Sequence, residues 1–137
     1  MICLDTNAVI AAINARSPGV RTRLEKALAE GVAVGIPVVV WFELRYGAAK
    51  SARVQQNLAT LAAFLALDVV IWPFDVADAE EAGDIRAALE RAGTPIGPYD
   101  VLIAAQARRR GALLVTADAR EFARVPGLRF EDWARPA

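Results

Sequence analysis

A chain of 137 residues with 16 basic and 16 acidic side chains is long enough for one hydrophobic core and too short for two, so one unit spanning 1–137 is expected. Zero formal net charge and a pI near 6.3 argue against a broad basic field that grips nucleic acid. The sequence has no histidine and only two serines, Ser17 and Ser51, neither in a nucleophile context. Histidine acid-base chemistry, His-ligated metals and serine triads are thereby excluded, and any catalysis falls to carboxylates.

The apolar opening Met1 to Leu4 reads as a short buried strand, and Asp5-Thr6-Asn7 as the turn that starts a helix running through Ile13. Cys3, the single cysteine, reads as a small buried thiol, which leaves no disulfide framework. Asp5 interrupts the apolar run and no basic flank precedes it, so neither a signal peptide nor a membrane span is expected and a cytoplasmic location follows.

Ser17-Pro18 reads as an N-cap with proline at the first helical position, on a helix whose stripe is Val20, Leu24, Ala27 and Leu28 and whose stop is Gly31. Val32 to Ile36 is a second strand, and Pro37 opens a helix carrying Trp41, Leu44, Arg45 and Ala48. A helix over 53–65, a strand over Val69 to Trp72 closed by Pro73, and an amphipathic helix over 75–91 stopped by Gly93 come next. The loop 93–98 delivers the chain to a helix from Asp100 through Arg110. Ala112 to Val115 is then a strand, Thr116-Ala117-Asp118 a turn, and Leu128 to Phe130 a last strand. Alternating strands and helices predict an α/β/α sandwich around a parallel sheet. Arg108, Arg109 and Arg110 read either as phosphate contacts or as a solvated helix end that favours the helix dipole.

Open parallel sheets bind ligands at the carboxyl ends of their strands. Asp5 and Asp118 follow strands directly, Glu43 lies about two turns into the helix after the second strand, and Asp100 opens the helix after the long loop. Taken singly, Asp5, Asp100 and Asp118 read first as helix or turn caps, and a surface pairing with Arg45 or Lys50 is the alternative for Glu43. Together, four acids without four cations call for a hard divalent ion, Mg²⁺ or Mn²⁺, and such a site suits phosphodiester hydrolysis.

The segments Leu4-Asp5-Thr6-Asn7, Phe42-Glu43-Leu44-Arg45-Tyr46-Gly47, Thr94 through Ala105, Leu114-Val115-Thr116-Ala117-Asp118 and Glu121 through Leu128 stand in the order found in one family. The chain resembles the PIN-domain ribonucleases, and within them the VapC-type toxins of toxin-antitoxin pairs, over essentially its full length. The resemblance implies a metal-dependent endoribonuclease whose acidic set is Asp5, Glu43, Asp100 and Asp118. Relatives often hold Asn where Asp118 stands, which implies a weaker or water-mediated contact there, and Glu121 stands where Asp is commoner. Thr6, Asn7, Thr116 and Glu121 are implied as residues that support the acids or touch substrate, with turn capping the alternative for the first three. A homodimer and a VapB-like antitoxin are the implied partners, the latter offering a basic side chain to the acids. The apolar helices around Trp41, Phe42, Leu58, Leu61 and Phe64 supply its docking groove or are simply core.

A receiver-like signalling module fits poorly, since Lys26 and Lys50 are the only lysines and neither follows the last strand. A haloacid-dehalogenase-like phosphatase would place a second Asp where Asn7 stands. A non-catalytic PIN-like module that seats an ion or a partner is the alternative that remains open.

Overall fold

The computed structural model describes residues 1–14 and 17–134. Strands β1 (Ile2–Leu4), β2 (Val34–Pro37), β3 (Val70–Trp72), β4 (Leu113–Val115) and β5 (Arg129–Glu131) form one sheet in the order β3-β2-β1-β4-β5. Every pairing is parallel, with Ile2 opposite Val34 on one side and Leu113 on the other. The described residues also form helices α1 (Thr6–Asn14), α2 (Pro18–Ala29), α3 (Val38–Ala49), α4 (Val54–Leu65), α5 (Val76–Arg91), α6 (Pro98–Arg109) and the short α7 (Ala119–Phe122). This is the α/β/α sandwich expected from the alternation of elements.

Strand β1 is apolar throughout because it is central and covered on both faces, so it shows no alternation of polar and apolar residues. The chain leaves β1 toward β2 and β3, then crosses back to add β4 and β5 on the other side. The strand order therefore reverses between β1 and β4, where an open α/β sheet forms its binding crevice. Cys3 is fully buried on β1, and burial pushes its thiol far above the ordinary range, so it packs as an inert apolar side chain.

The second strand, expected over Val32 to Ile36, starts two residues later and ends one residue later. Ala33 accepts a backbone hydrogen bond from Ile2 at 2.8 Å, the strand is Val34–Pro37, and Pro37 stands at the N-cap of α3. Pairing with β1 decides where β2 lies, and that pairing is invisible to local pattern. Ser17 occupies the expected N-cap of α2 without a side-chain capping bond. Thr116-Ala117-Asp118 is a turn as expected, and it leads into α7, which has too few residues to leave a periodic signal.

Gly35 lets β2 meet β3 closely, because a methyl group there would overlap the indole of Trp72, itself held under the Arg110 guanidinium at 5.0 Å. Gly35→Ala is expected to destabilise the fold by about 3 kcal/mol, read as a lower denaturant midpoint at unchanged slope.

The three consecutive arginines are neither phosphate contacts nor a solvated helix end. Arg109 Nε and Arg110 Nη1 donate to Asp78 Oδ1 at 2.7 and 2.8 Å, and Arg108 Nη2 donates to Glu81 Oε1 at 2.7 Å. Asp78 is completely buried and also closes a capping box with Asp75 at the start of α5. Burial alone would raise its pKa, but the hydrogen bonds from Arg110 and Arg109 override it and hold the carboxyl well below the usual range. The run thus fastens the end of α6 to the start of α5. Removing one partner would strand buried charge, so the basic run is structural.

Candidate metal centre

Four short connections bring the acids to the crevice. Asp5 follows β1, and its carboxylate accepts from the Ala8 backbone at 2.8 Å, so it caps α1 while also lining the site. The Thr116 hydroxyl accepts from the Asp118 amide at 2.9 Å and hydrogen-bonds the Asp5 carboxyl, which ties the exit of β4 to the exit of β1. Glu43 reaches inward from α3 and accepts from the Thr6 hydroxyl at 2.8 Å. That bond, rather than a surface pairing with Arg45 or Lys50, fixes the Glu43 side chain.

Asp100 lies in the first turn of α6, where Gly97 stands at the N-cap and makes no side-chain cap. A Cβ on Gly97 would come within 3.3 Å of Asp100 Oδ2 and 3.7 Å of Glu121 Oε1. The bare backbone at 97 therefore eases the approach of the Asp100 carboxylate, and its own N–H donates to Glu121 Oε1 at 2.8 Å.

A cavity of about 160 Å³ is lined by Asp5, Thr6, Asn7, Glu43, Asp100, Asp118, Ile103 and Phe122. All four acids singled out from the sequence meet there, together with Thr6 and Asn7. Thr116 lies buried beneath. The tightest convergence, however, is Asp100, Asp118 and Glu121, whose oxygens all lie within 4.8 Å of one another. Glu121, expected only in a supporting place, thus stands among the acids themselves because α7 turns it back toward α6.

The electrostatics record this crowding. Among the described residues none of these five carboxylates forms an ion pair. Burial, the hydrogen bond to Glu121 and the charges of Glu121, Asp118 and Asp5 push Asp100 up to about 7. Burial also raises Asp5, against the hydrogen bonds from Thr116 and Ala8. The contact between Asp118 and Glu121 raises the first and lowers the second, and the hydrogen bond to Asp100 lowers Glu121 as well. The charge of Arg124 favours the ionised forms of Asp118 and Glu121 without forming an ion pair, and such a set of oxygen donors fits a hard divalent cation that would relieve the remaining repulsion.

The PIN-domain family profile matches residues 2–128. The chain belongs to the PIN-domain family. Over 132 residues, 96% of each chain, this PIN domain is 45% identical to the tRNA(fMet)-specific endonuclease VapC of Shigella flexneri. It is 38% identical to Ribonuclease VapC2 of Rickettsia felis over 130 residues, 95% of this chain and 96% of the relative. Its fold is similar to that of VapBC2 from Rickettsia felis, solved bound to a DNA fragment from their promoter, with a TM-score of 0.90, 36% identity and coverage of 97% and 99%. VapBC from Salmonella typhimurium, solved bound to DNA, gives 0.88, 39%, 97% and 99%.

A second concavity of about 550 Å³ runs between α1, α3 and α4, lined by Ile10, Ile13, Leu44, Gly47, Leu61, Asn57 and others, and it reaches Glu43. Trp41, Phe42, Leu58, Leu61 and Phe64, read from the sequence as docking surface or core, fall largely to the core. Only Leu61 lines this groove, Phe64 is core, Trp41 and Leu58 pack partly against the core, and Phe42 is exposed elsewhere. Among the described residues no helix is long and apolar enough to cross a membrane.

Proposed function

We propose that this chain is a metal-dependent endoribonuclease that acts as the toxin of a toxin-antitoxin pair and hydrolyses RNA phosphodiesters at the acidic crevice. The observation that carries the reading is the convergence of Asp5, Glu43, Asp100 and Asp118 on one cavity without an ion-pairing partner among the described residues. Its relatives are named as ribonucleases and endonucleases, which supports the same reading.

Asp5, Glu43, Asp100 and Asp118 would hold Mg²⁺ or Mn²⁺, with Glu121 beside Asp100 and Asp118. A divalent cation supplies Lewis-acid stabilisation of the phosphodiester and a more acidic water for in-line attack. The protein's own groups set the geometry. Thr116 and the Ala8 amide orient Asp5, Thr6 orients Glu43, and the Gly97 amide orients Glu121, so the carboxylates are held in position before any ligand arrives. Thr6 and Thr116 act through the acids they hold. Asn7, exposed at the mouth of the cavity, is placed to touch substrate.

The groove that ends at Glu43 suits an antitoxin segment. Its mixed walls, with Ile10, Ile13 and Leu61 beside Gln56, Asn57 and Thr60, would take both apolar and hydrogen-bonding side chains of that segment, and a basic residue at the segment's end would satisfy the carboxylates and exclude metal and RNA. Pairing of two copies, the homodimer implied by the resemblance, belongs to the same proposal. Purified protein is expected to cleave RNA with Mg²⁺ or Mn²⁺ and to stop when EDTA is added. Cleavage that persists in EDTA would defeat the metal requirement, and intact RNA under every divalent ion would favour a non-catalytic module.

A further inference from the structure

Beside the acids lies an aromatic cluster that the reaction so far leaves unused. Phe42 immediately precedes Glu43 and Tyr99 immediately precedes Asp100, so the helices that supply two carboxylates also present these rings. The rings meet edge to face at 5.8 Å, and Phe42 stacks toward Tyr46 at 6.5 Å one turn further along α3. Phe42, Tyr46 and Tyr99 are 51%, 56% and 47% exposed, although rings of this size are ordinarily placed in a core. None of them lines either the acidic cavity or the groove that reaches Glu43.

Along α3, on the side away from the acids, the charge beside the rings is positive. Lys50 sits over the Tyr46 ring at 4.7 Å, and exposed Arg45 lies on the same helix face as Phe42 and Tyr46. Among the described residues neither cation pairs with a carboxylate. From Phe42 to Lys50 the helix advances about 12 Å, which spans about three stacked nucleotides at ~3.4 Å each. Rings in series, with Arg45 among them and Lys50 at the far end over Tyr46, match a single-stranded polyanion carrying flat bases.

We propose that Phe42, Tyr99 and Tyr46 form a base-stacking subsite that seats unpaired RNA nucleotides next to the scissile phosphate, with Arg45 and Lys50 facing the backbone. The proposal rests on the ribonuclease reading above. It adds that substrate must be single-stranded at this position, since paired bases present no free face to a ring.

The test measures binding, so that it stands apart from cleavage. In an Asp5→Asn background, affinity is measured for an unstructured ten-nucleotide RNA and for the same ribose-phosphate backbone with its central four bases removed. The parent is expected to favour the base-bearing RNA about tenfold. Phe42→Ala with Tyr99→Ala is expected to lose that preference while retaining its affinity for the base-less backbone. Phe42→Tyr and Tyr46→Phe, which keep the rings, should preserve the preference and serve as controls for folding. Lys50→Ala should weaken both RNAs alike and reduce the salt dependence of binding. An unchanged preference in the alanine variant overturns the proposal. So does a variant whose only change is in sedimentation or in antitoxin affinity, since the face then belongs to a second copy or to the antitoxin. A parent that binds with the expected preference but never cleaves RNA under any divalent ion defeats the nuclease reading and leaves the stacking subsite standing.

Discussion

Asp100→Asn and Asp5→Asn are each expected to reduce metal-dependent RNA cleavage by about a thousandfold while leaving a cooperatively folded protein. The loss is large because each substitution removes charge from a donor set that works as a unit. Asp100 stands within reach of both Asp118 and Glu121, so the amide lowers the field at the tightest point of the cluster. Asp5→Asn keeps an oxygen able to accept from the Ala8 amide, so the start of α1 survives. Thr6→Val tests orientation separately from charge. It removes the 2.8 Å hydrogen bond that aims Glu43 but keeps every carboxylate, and about a tenfold loss is expected. Initial cleavage rates at saturating Mg²⁺, with circular dichroism on the same samples, make the comparison. Rates within a factor of two of the parent for both Asp variants would remove these residues from the reaction.

The contrast between Asp118 and the arginine run shows what sequence carries and what it does not. Asp5, Asp100 and Asp118 were legible as site candidates because they follow strands or a loop in an alternating β/α pattern, and topology sends those positions to one edge. Glu43 was legible as an acid on an otherwise apolar helix stretch. Glu121 was harder to place, because its position depends on a four-residue helix and on a glycine amide 24 positions away. The arginines failed altogether: their partner Asp78 is 31 and 32 residues from Arg109 and Arg110, and on a helical pattern it reads as one more polar surface position. Residues that meet at a strand end announce themselves through topology, whereas buried ion pairs between helix ends do not.

Without divalent metal the protein is expected to lose stability as pH rises from about 5.5 to 8. The sign follows from Asp100, whose carboxyl titrates near 3.8 in the unfolded chain and at about 7 in the folded one. Between those values the folded state binds the additional proton, so this contribution is complete below the unfolded value and disappears as pH passes through 7. Asp5 and Asp118 shift in the same direction, and only Glu121 opposes them. Because Asp100 is partly exposed, solvent screening reduces its share to about 1–2 kcal/mol, or a fall of roughly 5 °C in Tm. Asp78 works the other way. Its depressed pKa stabilises the fold above about 4 and yields that stability at lower pH, which leaves the metal-free optimum on the acid side of neutrality. Mg²⁺ or Mn²⁺ should invert the slope above pH 6, since the cation binds the deprotonated carboxylates and adds about 2.7 kcal/mol at a hundredfold excess over its Kd. Asp100→Asn should flatten the metal-free profile and weaken the metal response together. Thermal melts at pH 5.5 and 8, with EDTA and with Mn²⁺, decide the matter. A metal-free Tm that climbs toward pH 8 would mean that the acids are not crowded enough to need a cation.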